Sequence, residues 1–136
     1  MRKILSMIVV MLACAAAIFF RAEVQQEEAF KKFYAEFQTA VKSGDKEKVA
    51  SMIKFDKFTW EASPALQKIK TKEEFLKNYE KMFTATIKNK IATGKVDSSE
   101  ANHFIIWHTT NSEYSLDFGH MEDGSYAFLG LSVGPR

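Results

Sequence analysis

The last third of the chain constrains its fold most, because two turn signals there dictate how three apolar-alternating segments can pair. Asn111-Ser112 and Asp123-Gly124 are residue types that favour tight hairpin turns. With those turns, Thr110 faces Glu113 and Glu122 faces Ser125. The pairing then sets Ile105, Trp107 and Thr109 beside Phe118, Leu116 and Tyr114, and these beside Leu129, Leu131 and Val133. All of them fall on one face, since side chains alternate along a strand. The other face carries His108, Thr110, Glu113, Ser115, Asp117 and Ser132, with Phe104, Ile106, Met121, Tyr126 and Phe128 at its far end. Phe104 and Phe128 would flank Gly119 there. An apolar patch on a sheet face that helices do not use is a candidate interface, for a second copy or another protein.

Helical signals dominate the segment before this meander. Phe30, Phe33, Tyr34, Phe37 and Val41 recur at helical spacing within Val24–Val41, and Ser43-Gly44 stops that helix. Asp45 caps a short second helix whose apolar positions are Val49, Ala50, Met52 and Ile53. Phe58, Trp60 and Ala62 alternate with polar residues as a strand ending at Ser63-Pro64, and Leu66 to Lys70 can pair with it. Thr71-Lys72-Glu73-Glu74 is a capping box. One long helix is expected after it, with Phe75, Leu76, Tyr79, Met82, Phe83, Ile87 and Ile91 on one stripe and Gly94 at its end. Its opposite face, with Lys72, Lys77, Lys81, Lys88 and Lys90, reads as solvated. The class is α+β.

Residues 1–22 read differently from the rest. Arg2 and Lys3 precede an apolar run from Ile4 to Phe20, with small residues from Ala13 to Ala17. That is the pattern of an export signal. Cleavage after the small residues, retention as a membrane anchor through residues 4–20, and lipidation at Cys14 are the alternatives, and all place the remainder outside the cytoplasm. The expected location is therefore periplasmic or extracellular, with membrane contact only through an uncleaved segment. Removing Arg2 and Lys3 with the signal cancels the net charge of +2. A nucleic-acid partner is then not indicated. Cys14 is the only cysteine, so the single domain expected over 23–136 must be held by its core without a disulfide.

Several stretches resemble small exported bacterial members of the nuclear transport factor 2-like superfamily. They are Phe30-Lys31-Lys32-Phe33, Ala40-Val41-Lys42-Ser43-Gly44-Asp45, Met52-Ile53-Lys54-Phe55, and Thr71 through Thr84. Asp56 departs from the pattern, where such sequences often have proline. The resemblance implies a cone-shaped fold, with N-terminal helices closing over a curved antiparallel sheet. It also implies a pocket on the concave face, lined here by Tyr34, Phe37, Trp60, Tyr79, Trp107, Tyr114 and Phe118. Such a lining suits an apolar small molecule, or simply fills a core. The superfamily hosts isomerases, dehydratases, ligand binders and interaction modules, so fold alone assigns no activity.

Chemistry is sparsely signalled. His103 and His120 fall on the concave face, opposite one another at its mouth, and Asp56 lies near the first strand. These three, with Glu61 on the first strand as a further acid, are the candidates for the acid–base work of an isomerase or dehydratase. His108 neighbours Glu113 and Asp117 on the outer face, a poor ligand set for a metal. Glycine-rich phosphate loops and nucleophile elbows are absent, and no cofactor is implied. The leading expectation is an exported, non-catalytic binding module, using the aromatic pocket, the outer face, or both. A small enzyme and an inhibitor or immunity-type partner of another exported protein are the alternatives.

Overall fold

The computed structural model describes residues 2–62, 65–99 and 102–135, with residues 2–18 and 65–67 described by backbone alone. The elements run α1 (Arg2–Ser43), α2 (Lys46–Ser51), β1 (Thr59–Ala62), β2 (Ala65–Gln67), α3 (Lys72–Met82), α4 (Ala85–Thr93), β3 (Asp97–Ser99), β4 (Asn102–His108), β5 (Ser112–His120) and β6 (Tyr126–Pro135). They divide into two compact units, Met1–Tyr34 and Ala35–Arg136.

The first unit is helical. Within it Phe30 stacks on Tyr34 at 5.8 Å, and Lys31 pairs with both Glu27 and Glu28 one turn back. Helix α1 is continuous through the position where the domain helix was expected to begin, at Val24. The side chains that carry the export-signal expectation, up to residue 18, lie outside the described ones. Among the described residues no helix is long and apolar enough to cross a membrane.

The second unit is built on a six-stranded sheet in the order β2-β1-β6-β5-β4-β3, antiparallel except where β1 runs parallel to β6. Its helices begin and end on local signals. Gly44 takes φ 71°, and the Gly44 and Asp45 amides donate back to the Val41 and Ala40 carbonyls, satisfying the end of α1. The Asp45 carboxylate accepts from the Lys48 amide at 2.9 Å and opens α2. The capping box forms as expected, with Thr71 and Glu74 each satisfying the other's backbone amide. The expected single long helix, however, is two helices. Thr84 leaves helical geometry and caps α4 by accepting from the Ile87 amide, so the chain bends after Phe83. The apolar stripe survives the bend: Phe75, Tyr79, Met82, Phe83, Ile87 and Ile91 are all buried. The turn expected at Ser63-Pro64 lies outside the described residues; β2 pairs antiparallel with β1 on either side of it.

The meander follows the expected plan with two corrections. The first hairpin turns at Thr110-Asn111, where the Thr109 amide donates to the Ser112 carbonyl at 2.8 Å. Ile105 therefore pairs with Leu116 and Trp107 with Tyr114, two residues from the expected register. A two-residue slip preserves the facing of every side chain. The second hairpin has a three-residue loop, in which Gly124 at φ 86° lets the Met121 amide reach the Ser125 carbonyl. That shifts the register by one and turns Tyr126 and Phe128 inward. A bulge opposite Asp117 and Phe118 then absorbs an extra residue of β6, and from Asp117↔Gly130 onward the pairing is as expected.

Tyr126 and Phe128, expected on the outer face, are consequently core residues, and Phe128 is fully buried. Leu129, expected in the core, is the residue extruded at the bulge. Phe128 sits at the centre of the ring cluster, with Phe37, Phe58, Phe83 and Phe118 at 5.1, 5.4, 6.0 and 5.4 Å. Its amide, displaced from the ladder, donates to the Met52 carbonyl at the end of α2.

Candidate functional site

Three places in the second unit bring functional side chains together. The first is the concave aromatic set. Phe37, Trp60, Tyr79, Trp107 and Phe118 are buried, and Tyr114 is half-buried. Among them, Phe37 meets Phe118 edge-on at 5.3 Å, and Tyr79 stacks on the core ring of Phe83 at 4.6 Å. Tyr34 belongs to the first unit and stacks on Phe30 there. At the end of β4 the Trp107 indole lies flat on Tyr114 at 4.7 Å, with the Lys90 ammonium 5.8 Å from the indole ring. The indole N–H of Trp107 and the hydroxyl of Tyr79 are buried without a hydrogen-bond partner. Burial pushes the Tyr79 hydroxyl up to about 12, helped by the negative charges of Glu80 and Asp45.

The second place gathers the acid–base candidates. His103 is buried and His120 half-buried, but the changed register places Tyr126 between them. The Tyr126 ring meets the His103 ring at 5.5 Å and the His120 ring at 5.0 Å. The two histidines therefore pack on a shared tyrosine and are not directly paired across strands: His103 faces Phe118 and His120 faces Tyr126. Asp56 is exposed, 3.8 Å from the Lys54 ammonium. It lines a half-open cavity of about 540 Å³ between the loop after α2 and the β5–β6 hairpin. Lys54, Lys57, Glu122 and Asp123 share that lining, while neither histidine does. Asp123 is held below the usual carboxylate range by hydrogen bonds from the Ser125 hydroxyl and amide.

The third place is the outer sheet face. Ile106 is 50 % exposed, and Phe104 and Met121 are half-buried, as the sequence placed them. Leu129 joins them in place of Phe128. It lies over Gly119, the position Phe104 and Phe128 were expected to flank. A groove of about 540 Å³ runs past Asn102, Phe104, Asp117 and Leu129. Asp117 is exposed by surface area and accepts from the Ser115 hydroxyl at 3.0 Å, yet partial loss of water around its carboxyl outweighs that bond and raises it above the usual range. His108 stands directly opposite Glu113, with 3.3 Å between Nδ1 and Oε2. Among the described residues no three histidine, cysteine or acidic side chains converge as a metal site. Sequence reasoning missed Leu129 and the partial desolvation of Asp117, because both depend on the bulge.

A mixed six-stranded sheet with helices packed on one face is the α+β arrangement of nuclear transport factor 2-like proteins, and the described residues have that fold. A solved structure of a nuclear transport factor 2-like protein of unknown function from Shewanella oneidensis MR-1 matches with a TM-score of 0.50 and 9 % identity, over 79 % of this chain and 97 % of that one. A candidate ketosteroid isomerase from Shewanella frigidimarina NCIMB 400 gives a TM-score of 0.46 and 11 % identity, over 78 % of this chain and 94 % of that one. At these identities the likeness concerns the fold alone. No protein-family model and no curated protein matches the chain.

Proposed function

We propose that the chain is an exported, non-catalytic binding module whose outer sheet face receives a protein, with a second copy of the chain as the first partner to test. The observation that carries this reading is Ile106, half-exposed on the strand that also carries Phe104, in a β-sheet whose other face is buried. A large aliphatic side chain held on a rigid strand, next to a groove and a partly desolvated carboxylate, is the composition of an interface centre with a polar rim. The acid–base candidates weigh against catalysis. Asp56 is exposed beside Lys54, and the two histidines spend their rings on Tyr126. Export, to the periplasm or beyond, rests on the pattern of residues 1–22.

Light scattering on the purified chain across a wide concentration range tests the reading. Self-association that Ile106→Asp abolishes, with the fold intact by circular dichroism, is the expected result. A chain that stays monomeric throughout overturns the homodimer, and the outer face then belongs to a different protein.

One observation favours a second mode. The buried Trp107 N–H without an acceptor, beside the half-buried Tyr114, is a polar handle next to an aromatic platform. This suits a small apolar molecule carrying one hydrogen-bond acceptor. Native mass spectrometry of chain purified from its own source would reveal such a molecule as an added mass.

A further inference from the structure

A groove at the edge of the sheet combines an apolar wall with three lysines that form no ion pair among the described residues. It has a volume of about 460 Å³ and is lined by Phe55, Asp56, Lys57, Phe58, Lys68 and Lys70, with Thr59 completing the wall. That size lies within the range of small-molecule sites, about 300–1,000 Å³. Both phenyl groups are fixed by one buried ring. Phe55 and Phe58 each meet Phe75 edge-on at 6.1 Å, so the wall does not need to be ordered on binding.

The backbone that carries two of the lysines is anchored, while their side chains are exposed. Lys68 and Lys70 flank the buried Ile69, which ties the β2–α3 connection to the core. The Lys70 amide is held by the Glu74 carboxylate at 2.8 Å. Lys57 follows from the loop on the other side. Among the described residues none of these three ammonium groups forms an ion pair, whereas Lys46, Lys48, Lys54 and Lys72 on neighbouring elements all do. The lining has a single carboxylate, Asp56, and that one faces Lys54. The groove is thus apolar along its wall and positive at its rim.

We propose that this groove binds an amphipathic monoanion, a single apolar chain ending in a carboxylate, with the chain along Phe55 and Phe58 and the head among Lys57, Lys68 and Lys70. The charge balance selects an anion, and the paired rings select an apolar body over a free inorganic ion. Lysine, a compact point charge with no fork geometry, holds such a head without demanding bidentate contact. This site is separate from the outer face and stands or falls without it.

The test is isothermal titration of the full chain with dodecanoate below its micelle concentration. Binding is expected to weaken with added salt and to fall about tenfold in the Lys57→Gln/Lys68→Gln/Lys70→Gln variant. Phe55→Ala should weaken it as well. The Lys77→Gln/Lys81→Gln variant, altering exposed lysines elsewhere, should bind as the native chain does. Dodecan-1-ol, with the same chain and no charge, should bind at least about tenfold more weakly. Equal binding of the alcohol, or equal loss in both lysine variants, overturns the proposal. Binding to anionic phospholipid vesicles without binding to dodecanoate also overturns it, and would assign the lysines to a membrane surface.

Discussion

The Leu129 side chain occupies the space that a Cβ on Gly119 would need, so the extruded residue of the β6 bulge is seated on the barest point of β5. Gly119 does not have a positive φ, so its substitution is a steric problem and not a backbone one. Gly119→Ala should push the tip of the half-buried Leu129 side chain aside and destabilise the protein by about 1 kcal/mol or less in urea unfolding, below the cost of overpacking a closed core. Combining it with Leu129→Ala should cost less than the two changes separately, because the second removes the atoms the first collides with. Strict additivity would show that the two residues do not share this space.

The same bulge predicts an asymmetry between two phenylalanines that the sequence places on one face. Phe128→Ala removes the ring at the centre of the cluster and should cost about 3–5 kcal/mol. Phe104→Ala trims a half-buried ring on the outer face and should cost under about 1.5 kcal/mol. Denaturant midpoints of the two variants measure the difference. Similar midpoints would mean that β6 keeps the unbulged register.

How much was legible follows from what each feature depends on. Caps and stripes are local, so Asp45, the Thr71–Glu74 box and the buried stripe of α3 and α4 were all readable from residue types and spacing. Thr84 carried its own capping signal, but the stripe runs straight through it and masks the break. In the meander, turn chemistry fixed the partners, and a slip of two residues at Thr110-Asn111 did no harm to facing. The three-residue loop at Gly124 and the compensating bulge were not readable. The bulge's displaced amide, on Phe128, is answered by the Met52 carbonyl, seventy-odd residues away in sequence. The slip at Thr110-Asn111 moved His103 from opposite His120 to opposite Phe118, and the β5–β6 shift turned Tyr126 inward against both rings. The lysine-rimmed groove gathers its charges from two loops separated by a hairpin, so no single stretch announces it.

Tyr79 should make the protein sensitive to base. Its hydroxyl is raised to about 12 chiefly by burial, while an exposed tyrosine in the unfolded chain ionises near pH 10. Between those values the unfolded chain loses a proton that the folded one retains. Stability should therefore be intact below about pH 10 and fall as the pH rises toward 12. Tyr79→Phe should flatten that part of the profile. It should also leave stability at pH 7 unchanged or slightly higher, since the hydroxyl it removes is buried without a partner. Thermal melts across pH 8–12 distinguish this from general alkaline unfolding, in which both proteins would decline together (~pH 10 onward).

Asp117 gives the opposite kind of test, on the face proposed to receive a partner. Its carboxyl is raised by partial loss of water, against the opposing bond from Ser115, so the charged form is the one the fold disfavours. Below the ordinary carboxylate range Asp117 is protonated in both states and costs nothing. As the pH rises through its titration the folded state is penalised relative to the unfolded one. Asp117→Asn keeps an acceptor for the Ser115 hydroxyl and removes the charge. It should stabilise the chain at pH 7 by a small amount, under about 1 kcal/mol because the group still reaches solvent, and the gain should vanish by about pH 3. A partner seated over Phe104, Ile106 and Leu129 would strip more water from Asp117. The same substitution should then tighten association at pH 7 by more than it raises stability. If sedimentation shows the Asp117→Asn variant associating no more strongly than the native chain, the interface does not cover Asp117.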